Sequence, residues 1–185
     1  MSTEGRGALG FRDFIARLRE AGEIIEIGEP ISLAHEIGAL CRVLADEDGP
    51  AAILKSIAGN RSPCKTAVVN LYGPRRRIAW ALGVEERGLL DLGAGRLRDR
   101  VPPLLVEGGT APCQENVLLG EDIDLTQWPI PLWNEGDGGP YITAGLWIAR
   151  HPEFGLNIAH HRGQIYGPRE IGVCVAPDHH LRLAT

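Results

Sequence analysis

Asn157, His160, His161, Arg162, Gln164, Asp178, His179 and His180 fall in one stretch of the chain, which holds four of its six histidines. Neutral imidazole ligates several divalent metals, and an asparagine carbonyl oxygen suits a harder ion such as magnesium or manganese. A plainer reading stands beside this: histidines alternating along a half-exposed strand are solvated surface groups. Neighbours on a strand point to opposite faces, so one ion does not take both members of a His–His pair. Arg162 carries a planar fork of donors that binds a carboxylate or phosphate at two points, or joins a surface ion pair. It keeps its proton at neutral pH, so it holds an anion and does not act as a general acid. A metallohydrolase built on His160, His161, His179 and His180 is one chemistry this set allows.

The elements that must position these groups read as an antiparallel meander. Tyr141 to Arg150, Leu156 to Tyr166 and Glu170 to Ala176 are strand-like, joined by HPEFG and GPR connections of hairpin length. Ahead of them, Trp128-Pro129-Ile130-Pro131-Leu132-Trp133 is extended, because each proline drives its predecessor out of the helical region. The glycines of EGDGGP either admit a cofactor to the backbone or merely turn the chain. The tryptophans Trp128, Trp133 and Trp147 read as core. Pro177 to Leu181 opens a helix. Three strands leave an unprotected edge, and with the arrested helix this gives the expectation of a chain cut short.

Upstream, Phe11, Phe14, Ile15 and Leu18 keep a 3.6-residue period that predicts a helix ending at Gly22. Glu23 to Ile27 is strand-like. Leu33, Ile37, Leu40 and Leu44 predict a second helix with Ser32 as N-cap, broken by Asp48-Gly49-Pro50. AAILKS and TAVVNLYG follow as short strands, and Arg75 to Val84 predicts a helix with Ile78, Ala81 and Leu82 inward. Arg75, Arg76 and Arg77 at its start read as a solvated or subunit-contact face. The stretch to Val101 is weakly patterned, and its LGAG lacks dinucleotide-binding spacing. A domain boundary is placed near residue 110.

Composition narrows the partners. A net charge of -5 from 19 basic and 24 acidic residues gives no overall positive field for nucleic acid. Four cysteines without a CxxC pair suggest neither a zinc knuckle nor a disulfide framework, so they read as reduced thiols. With neither a signal-like N-terminus nor an apolar run long enough for a bilayer, the expectation is a cytoplasmic protein without a membrane span.

Several blocks, taken in order, resemble the UbiD-like decarboxylases. FRDFIARLREAGEIIEI is similar to that family's opening helix and strand, and VVNLYGPRRRIAWALG to its asparagine-leucine-aromatic-glycine segment. PCQENVLLGEDIDLTQWPIPLWNEGDGGPYITAGLWIARHP, followed by an Asn-x4-Arg strand, is similar to its most recognisable stretch. The resemblance implies an α+β fold: a small N-terminal α/β domain over 1–110, then over 111–185 the first strands of an antiparallel split β-barrel that binds flavin. It implies prenylated FMN, with Mn2+ or another divalent cation and K+ as further cofactors, and reversible decarboxylation of an aromatic or α,β-unsaturated acid. Asn157 and His180 match metal ligands, and Arg162 matches the arginine of the catalytic network. Thr143, Ile158 and His161 match flavin-lining positions, and so does His179, where many members carry glutamine. Strict alternation puts Asn157 and Arg162 on opposite faces, so a bulge or bend between them is expected if both reach one site.

The resemblance further implies an aromatic acid as substrate, phenolic acids being favoured from the PCQENVLLG block, a flavin prenyltransferase as cofactor supplier, and a homo-oligomer, dimer or hexamer, in the full-length form. Members are more than twice this length, with a metal-binding glutamate and acid/base carboxylates beyond the position of Thr185. The isolated chain is therefore expected not to decarboxylate. The alternatives are a non-catalytic short relative that binds flavin or a full-length partner subunit, and the histidine metallohydrolase above.

Overall fold

The computed structural model describes residues 10–99, 101, 111–153, 155–177 and 179–183. The proposed boundary near residue 110 lies outside them. Contacts group the chain into two units that interleave in sequence: one holds residues to Ile27, Cys41–Leu54 and Val68–Leu119, the other Gly28–Leu40, Lys55–Ala67 and Gly120–Thr185.

In the first unit, α1 (Phe11–Glu20) buries Phe14, Ile15 and Leu18, the stripe its periodicity predicts, and Gly22 follows with φ 69°. Strands β1 (Ile24–Ile27) and β3 (Ala51–Leu54) pair in parallel, Ile24 opposite Ala51, and β5 (Ala67–Val69) completes a sheet of order β1-β3-β5. All four residues of β3 are buried, as expected of a central strand. The core joins Phe14, Leu18 and Ala51 to Ile24, Leu71, Trp80 and Ala81, and Phe14 stacks on Tyr72 at 5.6 Å between ring centroids.

Helix α3 (Arg75–Leu82) corrects two expectations. Its buried residues are Arg77 and Ala79, whereas Leu82 is exposed. Arg77 is not on a solvated or subunit-contact face: it is 0% exposed and donates from Nη2 to the Gly49 carbonyl at 2.9 Å and from Nη1 to the Glu23 carbonyl at 3.3 Å. Arg76 beside it binds Glu23 through Nε (2.9 Å) and Nη2 (3.1 Å), and also Asp48. These carboxylates hold the Arg76 guanidinium more firmly protonated, while burial lowers the pKa of Arg77. The asparagine of VVNLYG serves the same joint. Asn70, at φ 53°, donates Nδ2 to the carbonyls of Gly49 and Pro50, and a Cβ on Gly73 would meet its Oδ1 at 2.1 Å. Helix α4 (Leu89–Arg98) arises where the sequence was weakly patterned; it contains the LGAG segment and buries none of its residues.

In the second unit, β2 (Ile31–Ser32) pairs in parallel with β4 (Ile57–Ala58). Ser32 is not a helix cap. Its backbone N–H donates to the Glu36 side chain at 2.6 Å, and α2 (Glu36–Asp46) begins only after His35 has taken φ 68°. Gly38 of α2 lies against the backbone of the Trp133 segment, where a Cβ would come within 2.2 Å of the Trp133 carbonyl oxygen. That oxygen is main chain and cannot swing aside, so Gly38→Ala is expected to destabilise the fold by about 1–3 kcal/mol. Gly93, inside α4 with nothing near its missing Cβ, is the contrast: Gly93→Ala is expected to gain about 0.5–1 kcal/mol. Urea denaturation of the two variants checks both signs.

Candidate functional site

Strands β6 (Tyr141–His151), β7 (Gly155–Gly167) and β8 (Glu170–Val173) form an antiparallel sheet with β7 in the centre. The meander follows the sequence expectation: exposure alternates along β7 and along β6 from Gly145, and the connections are short. From His151 opposite Gly155 to Gly145 opposite His161 the register runs without interruption, and it shifts between Ile142 and Gly145. The extra residue therefore sits on β6 at Thr143–Ala144, across from Arg162. The bulge expected on β7 between Asn157 and Arg162 is absent, and exposure alternates along β7 from Gly155 to Tyr166. Intact pairing of every residue from Gly155 to His161 leaves no room for an insertion there.

One face of β7 carries Ile158, His160, Arg162, Gln164 and Tyr166. Arg162, His160, Gln164 and Tyr166 line a cleft of about 940 Å³, together with Thr143 and Trp133. Arg162 is exposed to it and has no hydrogen bond or ion pair among the described residues. Beside the cleft the same face presents Leu146 (60% exposed) and Ile148 (64% exposed) opposite His160 and Ile158. The site thus joins an anion-binding fork to an apolar strip. Across β7 from Gln164, Tyr141 donates its hydroxyl to Gln164 Oε1 at 2.7 Å, and Trp133 Nε1 donates to the Tyr141 carbonyl at 3.0 Å. The glycines of EGDGGP serve this wall: a Cβ on Gly138 or Gly139 would approach Gln164 Nε2 to 3.0 or 3.2 Å.

The other face of β7 carries Asn157 and His161. Trp147 crosses it, its ring close over Gly163 and its Nε1 donating to the His161 carbonyl at 2.9 Å. Asn157 Nδ2 and His161 Nε2 are both buried there without a hydrogen-bond partner, and the His179 ring lies 5.5 Å from that of His161. Two orphaned polar atoms on one face call for a polar occupant, and an asparagine amide presents oxygen or nitrogen by a half-turn. The imidazole of His180, in α5 (His180–Leu183), lies outside the described residues. Among the described residues no group of three His, Cys, Asp or Glu side chains is placed to hold a metal. His160 and His161 face opposite ways, which removes the basis for a metallohydrolase built on that pair. Because β7 is central, its backbone stands between Asn157 and Arg162, so the sheet sets no single ligand against both side chains.

Cys174 borders the cleft and is exposed, as are Cys64 and Cys113, whereas Cys41 is half-buried. Burial pushes the Cys41 thiol above its ordinary pKa, partly offset by a hydrogen bond from the Asn70 backbone. Its thiolate therefore forms only at higher pH than a free thiol's. The associated stabilisation is complete below the unfolded-state pKa and is lost as pH rises through the raised value. In iodoacetamide alkylation followed by peptide mass spectrometry, Cys41 is expected to react last, with a rate rising at higher pH than the rates of the three exposed thiols.

Two family models match the chain: the 3-octaprenyl-4-hydroxybenzoate carboxy-lyase N-terminal domain over residues 15–94 and the Rift-related domain of the same carboxy-lyase over residues 105–185. The chain belongs to the UbiD family. Among its relatives, this UbiD-family chain is 30% identical to ferulic acid decarboxylase 1 of Saccharomyces cerevisiae over 96% of its own length and 38% of the yeast enzyme's. It is 32% identical to the pyrrole-2-carboxylic acid decarboxylase of Pseudomonas aeruginosa over 80% of its length and 32% of that enzyme's. An evolved dimeric form of the UbiD-class enzyme HmfF from Pelotomaculum thermopropionicum, solved with prFMN, superposes with a TM-score of 0.81 at 32% identity, covering 90% of this chain and 38% of HmfF. The first two of these relatives are decarboxylases, and the chain spans less than two-fifths of the length of each of the three. No helix among the described residues is long and apolar enough to cross a membrane.

Proposed function

We propose that this chain carries part of the flavin and acid site of a UbiD-type carboxy-lyase acting reversibly on an aromatic or α,β-unsaturated acid. The observation that carries this reading is the unpaired Arg162 in the cleft, with Thr143 beside it and Ile158 on the same strand face. Residues 111–185 are then the opening strands of a split β-barrel. The cleft suits a flavin ring: it is concave and rimmed by Trp133 and Tyr166, and Leu146 and Ile148 stand on the same face of the sheet. Bound there, prenylated FMN would supply the electron sink that loss of CO2 requires. Arg162 orients the acid by holding its carboxylate at two points, and the apolar strip keeps water from the ring. The proton that replaces CO2 comes from a group other than Arg162.

On the opposite face, Asn157 is proposed to hold a divalent cation together with His180. The support is the unsatisfied buried amide of Asn157. The same reading takes a flavin prenyltransferase as cofactor source and a homo-oligomer as the assembled form. Titration with FMN and Mn2+ tests the cofactor assignment. FMN fluorescence is expected to be quenched on binding, and Asn157→Ala to abolish Mn2+ binding. A wild-type chain that takes up neither FMN nor Mn2+ overturns the assignment.

A further inference from the structure

The carboxamide of Gln164 lies in the cleft wall with its orientation set by a neighbour. Tyr141 donates to its Oε1, so both N–H groups of Nε2 are left for other acceptors, and none among the described residues takes them. Gln164 lies two residues beyond Arg162 on the same face of β7, and Arg162 is likewise unpaired. Side chains so spaced on a strand stand roughly 7 Å apart, at successive steps of the pleat. That is close to the separation between the carboxylate of a benzoic acid and an oxygen on the far side of its ring. With about 940 Å³, the cleft has room for an aromatic acid as well as a flavin ring.

We propose that Gln164 reads a ring oxygen of a hydroxylated aromatic acid whose carboxylate is held by Arg162, and that Tyr141 is the positioning residue that aims its amide. The inference rests on the carboxy-lyase reading and names the residues that would recognise the ring oxygen of a phenolic acid. Gly138 and Gly139 belong to the same device, since a side chain at either would press on Nε2. An acid lacking the ring oxygen leaves the amide donor unpaired in the cleft wall, which is how a hydrogen-bonding site rejects an analogue.

The test is binding of 4-hydroxybenzoate and of benzoate to the purified chain, by isothermal titration or by quenching of tryptophan fluorescence, in wild type, Gln164→Met and Tyr141→Phe. Wild type is expected to prefer 4-hydroxybenzoate by about fivefold, the worth of one neutral hydrogen bond. Gln164→Met should bring the ratio to about one, and Tyr141→Phe should lower it while the thermal midpoint stays within a few degrees. A ratio of one in wild type, or a ratio untouched by Gln164→Met, overturns the proposal. FMN uptake by the same wild-type sample separates the two failures: flavin bound without discrimination between the acids defeats this inference alone, and no binding of flavin or of either acid defeats the carboxy-lyase reading too.

Discussion

Replacing Arg162 by alanine is expected to weaken binding of an aromatic acid anion by on the order of 10- to 100-fold, the worth of a charge-assisted pair of hydrogen bonds. The side chain is exposed to the cleft and has no protein partner among the described residues, so nothing in the fold depends on it. The thermal midpoint should therefore stay where it is, as for other surface changes. Arg162→Lys keeps the charge but loses the planar fork, and should recover only part of the affinity. Isothermal titration of the three proteins with 4-hydroxybenzoate checks the order wild type, lysine, alanine. Equal affinities would show that the acid is held elsewhere.

The second large effect is on stability. Arg77→Ala is expected to cost about 3–5 kcal/mol, because it deletes a fully buried cation whose Nη1 and Nη2 donate to two main-chain carbonyls beside the Glu23 carboxylate. The loss leaves the carbonyl of Glu23 without this donor and removes one of two donors from the carbonyl of Gly49, where Asn70 Nδ2 at 3.1 Å remains. It also takes away the charge 3.8 Å from the Glu23 carboxylate, which keeps only Arg76. Arg77→Met restores packing volume without the charge and should recover part of the loss. Urea denaturation measures both. A change below about 1 kcal/mol in the alanine variant would contradict the assignment of Arg77 as the tie between β1, the loop before β3 and α3.

What the sequence discloses follows from how local each signal is. The three strands of the meander are legible because alternation is a period-two pattern and their turns are short. Helix α1 is legible for the same kind of reason, its apolar stripe matching its buried face. Helix α4 leaves no such trace: Gly93 and Gly95 lower its propensity, and with no buried face it has no stripe to reveal it. Arg77 is illegible because an arginine triplet looks solvated until the carbonyls that receive it are known, and these come from residues far away in sequence. The interleaving of the two units depends on the parallel pairing of β2 with β4, again a non-local event. In the candidate site, Arg162 and its neighbours on one face can be read from alternation alone. The position of the bulge cannot, since an inserted residue on either of two paired strands gives the same local sequence pattern.

A flavin lying over the face of the sheet that bears Arg162 would cover Cys174 at the edge of that cleft. The alkylation rates of Cys174 and Cys64 are to be measured by peptide mass spectrometry with and without saturating FMN. FMN is expected to slow the reaction of Cys174 several-fold and to leave the exposed Cys64, which lies outside the cleft, unchanged. Bound FMN that leaves Cys174 reacting at its free rate would place the cofactor elsewhere and contradict the proposed site.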